Sequence, residues 1–403
     1  MTKKNYFVIF CASLVILLSM GMRQSFGLFQ TPISQSFGIG IAAFSLSLAI
    51  QNLMWGLSQP LIGALSDKFG SGKVIATSAV LQIFGLLMLA NAEAVWELHV
   101  STGIILGISG SGLTWAVILS VVARNVPENR RTLFFGISSS IGTGGQILIA
   151  PLNQFTINAF GWIDALIVMA VLMGIIIPLS VILTGRSDGG ASSAKGRATE
   201  GLLQTLARAR RHRSYLYLTA GFYVCGFQVM FIMAHLPTYL MTLDMPEWLP
   251  GMTISMIGIA NLIGTLLFGW LGDKYPKKYL LSFLYFSRSM VFAIFLMVPV
   301  SPVSVLIFGG SLGFLWLATV PLTSALVGHF FGLKYLATLA GIVFASHQLG
   351  SFTSVWLGGL LFDETGSYTV VWQIAIALGV LAALIHMPIR EEPAQAPQPQ
   401  PAG

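Results

Sequence analysis

The stretch Gly63-Ala64-Leu65-Ser66-Asp67-Lys68-Phe69-Gly70 joins two long apolar segments, and Gly269-Trp270-Leu271-Gly272-Asp273-Lys274 repeats its pattern 206 residues later. In both copies a glycine near the end of an apolar helix is followed by Asp at the fourth position and Lys at the fifth. Two apolar helices that end in the same Asp-Lys turn imply a duplicated chain with equivalent halves.

The solvent of those halves follows from composition. Of 403 residues, 55% are hydrophobic and only 9% charged, with a mean hydropathy of +0.81. A soluble domain carries about 25% charged residues, so lipid must solvate much of this surface. The net charge of +7 does not indicate a nucleic-acid partner, because long apolar runs separate the basic residues. Cys11 and Cys225 lie inside apolar runs without a CxxC or Cys/His cluster, so no disulfide framework, metal site or cofactor is expected. Lys3-Lys4 and the apolar run from Tyr6 resemble a signal peptide, but no small-residue cleavage site follows, and the run is read as an uncleaved first span.

A bilayer core takes about 20 apolar residues per helix. Twelve candidate spans fall near 6–30, 41–66, 73–92, 98–122, 132–158, 162–184, 215–241, 251–272, 279–298, 303–328, 336–361 and 367–388. The expected organisation is a six-helix bundle over 1–184, a polar linker over 185–214, a second six-helix bundle over 215–390 and a disordered tail over 391–403. The linker contains Arg208-Ala209-Arg210-Arg211-His212-Arg213, an amphipathic stretch suited to headgroups. The Pro/Gln/Ala-rich tail lacks core-forming residues.

Charge placement tests this topology. Nineteen of the 21 basic residues fall at the ends, in the linker or in alternate loops, all on one side of a twelve-span chain. The opposite loops contain no Lys or Arg and carry Glu93, Glu97, Asp164, Asp244, Glu247, Asp363 and Glu364. This positive-inside pattern places both termini in the cytoplasm of a multi-pass plasma-membrane protein. The halves also align residue by residue: Gly136 and Gly341, Gly145 and Gly350, and Gly161 and Gly366 are each 205 apart. A constant offset implies two bundles of like orientation facing each other across an axis along the membrane normal.

With the motif residues Gly63, Asp67, Lys68, Gly70 and Lys73 and the copy Gly269, Asp273 and Lys274, the sequence over about 5–388 resembles the Major Facilitator Superfamily. The resemblance implies that this motif forms helix-end contacts on the cytoplasmic side that hold the outward-open state. A narrower likeness is to the bacterial monocarboxylate and oxalate–formate branch, carried by Arg23-Gln24-Ser25-Phe26-Gly27-Leu28-Phe29 and His347-Gln348-Leu349-Gly350-Ser351-Phe352. It implies a functional position at Arg23 and a substrate-binding position at His347, and it places the localisation in a bacterial inner membrane. The branch usually has a carboxylate-gripping Arg in span 8, where this chain has Thr265.

Ionisable groups inside spans cost roughly 2.5 kcal/mol or more and need a reason. Arg23 lies about 17 residues into span 1, roughly 25 Å along the helix, which places it in the outer half of the bilayer. It suits an anion clamp, since guanidinium grips a carboxylate bidentately; the bland alternative is a snorkelling arginine. Its repeat partner Gln228 is expected to face the same cavity. Arg288 in span 9 is open to a structural or a substrate role. His347 and Gln348 in span 11 suit substrate contact or proton binding, or an inter-helix hydrogen bond. His235 suits a gate or an interfacial role. Trp115, Gln51, Asn52, Gln146 and Asn261 complete the candidates.

No Asp or Glu lies mid-membrane, so the cavity carries fixed positive charge only. The glycine clusters Ser109-Gly110-Ser111-Gly112 and Gly142-Thr143-Gly144-Gly145 lack a phosphate-loop ending and suit close helix packing. No catalytic constellation is present. The expectation is a non-enzymatic, monomeric secondary transporter that moves a small organic anion by alternating access, with proton symport or anion exchange. An exporter of amphipathic compounds and a transporter-like sensor are the alternatives.

Overall fold

The computed structural model describes residues 2–114, 117–118, 121–122, 125–127, 131–183, 202–332 and 336–392. The side chain of Asp67, all of Trp115, most of the linker and the tail beyond 392 lie outside the described residues. The protein is all-helical, with twelve transmembrane helices in two pseudo-symmetric six-helix bundles. Among the described residues, nine helical segments are long and apolar enough to cross a bilayer. Their outward faces carry large apolar side chains such as Phe155 (65% exposed), Val171 (66%) and Ile307 (63%), a surface only lipid can cover.

Span 1 runs Lys3–Gln24, turns through a tight 3₁₀ segment Phe26–Phe29 and continues as Gln30–Phe37. Span 2 is Ile41–Phe69 and span 3 Ser71–Ala90. Span 4 starts at Val95–Leu98, passes through a π-helical turn His99–Ile105 and resumes as Leu106–Gly112. Span 5 is Arg131–Phe160, and span 6 is Trp162–Gly174 with Ile176–Ile182. A linker helix, Leu202–Arg211, precedes spans 7 (Arg213–Thr242), 8 (Leu249–Lys274) and 9 (Lys277–Met297). Span 10 is broken into Pro302–Phe314 and Thr319–Phe331; spans 11 and 12 are Leu336–Thr365 and Thr369–His386.

The break in span 1 is held by polar side chains. Ser25 Oγ contacts the Gly21 and Met22 carbonyls at 3.0 and 2.9 Å, and Asn153 Nδ2 of span 5 donates to Ser25 Oγ at 2.6 Å. Because span 1 continues to Phe37, Arg23 sits near its middle and not in the outer half expected from a helix ending at residue 30. The break in span 10 frees carbonyls that Arg288 collects. Its Nε and Nη2 donate to Leu315 O at 3.0 and 2.7 Å, and Nη2 also reaches Trp316 O. Asn261 Oδ1 of span 8 accepts Leu317 N–H at 3.0 Å.

Glycines set the helix spacing, and they do so twice. A Cβ on Gly145 would lie 1.9 Å from Leu17 O, and one on Gly350 would lie 2.0 Å from Tyr223 O. A Cβ on Gly107 would lie 2.9 Å from Gln51 O, and one on Gly313 would lie 2.5 Å from Ile257 O. Each glycine and its target recur in the second half at an offset of 205 or 206. Spans 1 and 5 therefore pack as spans 7 and 11 do, and spans 2 and 4 as spans 8 and 10. At the turns, Gly161 and Gly366 both take positive φ, +95° and +66°.

The halves meet firmly at the end opposite the Asp-Lys motifs, here the far end. Asp363 Oδ1 and Oδ2 accept the Ile41 and Ala42 amides at 2.8 Å each, so a carboxylate of the second half caps span 2 of the first. Thr238 donates to Gln30 Oε1 at 2.9 Å and accepts from Thr31 at 3.0 Å. A Cβ on Gly27 would lie 2.0 Å from Met233 O. At the motif end, a Cβ on Gly63 or Gly269 would meet no atom within 4 Å, and Leu57 and Leu61 are 58% and 68% exposed.

Two outcomes follow from these contacts. Arg288→Met leaves the span 10 carbonyls unbonded, at about 1–3 kcal/mol per buried group. A clear fall in the thermal midpoint of the detergent-solubilised protein is expected, and an unchanged midpoint would refute the structural role. Asp363→Ala should speed hydrogen exchange at Ile41 and Ala42, measured by mass spectrometry on a peptide spanning both. Equal protection in wild type and variant would show that the carboxylate does not hold the far end shut.

Candidate functional site

The first-half side of the site is built on spans 1 and 2. Arg23 occupies the last turn of the first piece of span 1, beside the break. Its Nη2 donates to Asn52 Oδ1, and its guanidinium carbon lies 3.8 Å from the centroid of the Trp55 ring. Asn52 and Trp55 are one helical turn apart on span 2, so both face Arg23. Asn52 Nδ2 is fixed by Leu48 O at 2.8 Å, which presents its oxygen to the guanidinium.

The second-half side comes from span 11. Gln348 Nε2 donates to the Asn52 backbone carbonyl at 3.0 Å, and Gln348 Oε1 lies 3.0 Å from His347 Nδ1. An aromatic path runs beside this polar one. Trp55 meets Phe344 edge-on at 5.3 Å, and Phe344 stacks on His347 at 5.6 Å with ring planes 7° apart. Phe222 of span 7 covers the imidazole from 5.2 Å. Arg23 in one half is thus joined to His347 in the other by two short chains of contacts.

Beside Arg23 a small cavity of about 20 Å³ reaches into the first bundle. Arg23, Gln51, Trp55 and Gln82 supply its polar lining, and Met20, Met22, Leu106 and Leu113 its apolar lining. The Trp55 indole N–H is buried and has no acceptor among the described residues. Among the described residues no carboxylate reaches the guanidinium, and no group of acidic, His or Cys side chains could hold a metal. The site can therefore take an anionic group against Arg23.

The structure gathers Arg23, Asn52, Gln51, His347 and Gln348 and separates the other candidates. Gln228 does not face the cavity: its amide donates to Ala375 O of span 12 at 3.0 Å, and it is 1% exposed. The repeat offset pairs it with Arg23, but span 12 packs against that face. His235 is fully buried between Tyr368 Oη at 3.2 Å and Val355 O at 2.8 Å, inside the second bundle. Arg288, also fully buried, and Asn261 serve the break in span 10. Gln146 packs at the junction of spans 5 and 8, where a Cβ on Gly258 would lie 3.4 Å from it. Of the switch motif, Lys68 lies 5.2 Å from the neighbouring Phe69 ring and Lys274 lies 3.8 Å over Trp270. Trp55 and Phe344 are the participants that sequence reasoning missed. Each stands one turn from a named polar residue, Asn52 or His347, and that spacing is the signal that could have found them.

Known proteins agree with this architecture. The family profile of the Major Facilitator Superfamily matches residues 9–320. Monocarboxylate transporter 13 of Bos taurus is 26% identical over 402 residues, covering 98% of this chain and 92% of its own. The uncharacterised MFS-type transporter YcxA of Bacillus subtilis is 26% identical over 400 residues, covering 96% and 95%. Among solved structures, a D-xylose–proton symporter superposes with a TM-score of 0.75 at 17% identity, over 96% of this chain and 98% of that one. A bacterial homologue of the lysosomal transporter Spinster, in an inward-facing and unoccupied conformation, gives 0.73 at 13% identity, over 99% and 100%. With its twelve spans, its duplicated bundles and this match across most of its length, the chain belongs to the Major Facilitator Superfamily and is a multi-pass membrane transporter.

Proposed function

We propose that this transporter moves a small organic anion, a monocarboxylate, across the bacterial cytoplasmic membrane by alternating access. One observation carries the reading: a guanidinium near mid-span with no carboxylate partner among the described residues, facing a cavity and linked to the opposite bundle. A substrate carboxylate completes that arrangement through charge-assisted hydrogen bonds. The 26% identical monocarboxylate transporter 13 supports the substrate class.

The bundles at 1–184 and 215–390, joined by the linker at 185–214, rock about the site. With basic loops facing the cytoplasm, the motif end is cytoplasmic, and the Asp363 contact closes the outer face. Proton symport suits His347, the imidazole at the end of both contact chains. The protein works as a monomer in the bilayer, without a cofactor or covalent chemistry.

Counterflow in proteoliposomes tests this. Vesicles preloaded with unlabelled short carboxylates should accumulate the labelled acid, and an inward pH gradient should raise the plateau. Arg23→Gln should cut initial uptake by about tenfold or more, the worth of one or more charged hydrogen bonds, while membrane insertion persists. Absence of counterflow for every acid, or equal uptake by the variant, would overturn the proposal.

A further inference from the structure

Span 4 carries two glycines one turn apart beside the cavity, and they differ in what surrounds them. A Cβ on Gly107 would lie 2.8 Å from Met54 Cβ and 2.9 Å from Gln51 O, so that glycine is fixed by helix packing. Among the described residues a Cβ on Gly110 would meet only Trp55 Cδ1, at 3.9 Å, an ordinary contact. Packing does not demand a glycine at 110; the absent side chain leaves space in the cavity, which Gly110 lines. The repeat supplies the comparison. Gly107 and Gly313 pack identically at an offset of 206, and the same offset carries Gly110 onto Trp316. In the second half that position holds an indole that is 1% exposed.

The hollow is furnished for a ligand. Arg23 lines it together with Trp55, whose indole N–H is buried and has no acceptor among the described residues. Met20, Met22, Leu106 and Leu113 line the apolar part. The π-helical turn His99–Ile105 directly precedes this segment of span 4, and such turns often mark functional sites.

We infer that Gly110 is a specificity-determining residue: its missing side chain forms a subsite for the aliphatic tail of a carboxylate whose head is held by Arg23 and Trp55. This rests on the anion reading and adds the part of the ligand that the first bundle selects. The tail is short and apolar, because the cavity lining beyond the guanidinium offers methionine and leucine surface. Each methylene a pocket accepts or refuses changes affinity by about tenfold or more.

The test is a binding series on purified full-length protein, with acetate, propionate, butyrate and hexanoate titrated against wild type, Gly110→Ala, Gly110→Leu and Gly110→Trp. Calorimetry gives the affinity, and thermal unfolding confirms that each variant folds. The ratio of propionate to acetate affinity should fall stepwise with the size of the new side chain, by about tenfold or more for Gly110→Leu. If wild type binds the acids and the ratio stays within about twofold across the folded variants, against the per-methylene expectation, the subsite does not exist. The anion reading then survives. If wild type binds none of the acids, the anion reading fails and this inference fails with it. Should the larger substitutions prevent folding, Gly110→Ala decides, since its methyl makes only an ordinary contact. An unchanged ratio in that variant counts against the subsite.

Discussion

Direct approach of one helix backbone to another, permitted by glycine, sets the geometry on which the rest of this transporter depends. In lipid the hydrophobic effect does not drive helices together, so association rests on close van der Waals contact and on satisfied polar groups. At Gly145 and Gly350 a single methyl would lie 1.9 and 2.0 Å from a carbonyl oxygen, and on Gly21 and Gly226 of the partner helices 2.5 and 1.9 Å. These contacts fix spans 1 and 7 against spans 5 and 11. Once the distances are fixed, the depths at which Arg23, Asn52 and Gln348 can meet are fixed as well.

The two arginines inside spans show how the same side chain is used in two ways. Arg288 is wholly buried, and its donors are spent on the Leu315 and Trp316 carbonyls released by a broken helix, with Cys225 Sγ at 3.4 Å. Its burial is compensated by backbone dipoles, and it stabilises a structural irregularity. Arg23 is only partly buried, bonded to one side-chain oxygen and stacked on an indole. Neither partner carries negative charge. Among the described residues the electrostatic demand of Arg23 is left open in a way that the demand of Arg288 is not, and the proposed ligand-binding role of Arg23 rests on this difference.

Much of the architecture is legible in the chain because membrane solvation imposes simple rules. Apolar runs must be long enough to span, and basic loops must sit on one side. The turns at Gly161 and Gly366 and the packing glycines at Gly145 and Gly350 recur at a fixed offset because the halves share one set of contacts. The site is less legible. The break after Gln24 depends on Asn153, which is 128 residues from Ser25, and nothing local announces it. Extending span 1 past that break moves Arg23 to mid-span. Gln228 aligns with Arg23 in the repeat, yet the Ala375 carbonyl claims its amide, a tertiary contact that no offset contains. Trp55 and Phe344 are hidden among many apolar aromatics, and only pairing across the bundles distinguishes them.

A ligand can bias a two-state transporter only through contacts that differ between the states. Here two of the contacts that cross between the halves at the level of the site belong to the same residues that touch the guanidinium. Asn52 offers its side-chain oxygen to Arg23 and its backbone carbonyl to Gln348. Trp55 offers one face to Arg23 and meets Phe344 edge-on. An anion that takes hydrogen bonds from Arg23 competes directly with Asn52 and alters the charge beside the Trp55 ring. Occupancy of the first bundle is then registered by side chains that also grip the second, while the far end is held by Asp363 on the span 2 amides. Span 2 is common to both sets of contacts: its first turn carries the far-end cap and its middle carries Asn52 and Trp55. Under the proposed anion reading, a shift of span 2 would couple the state of the site to the closure at the far end, without any need for a separate relay.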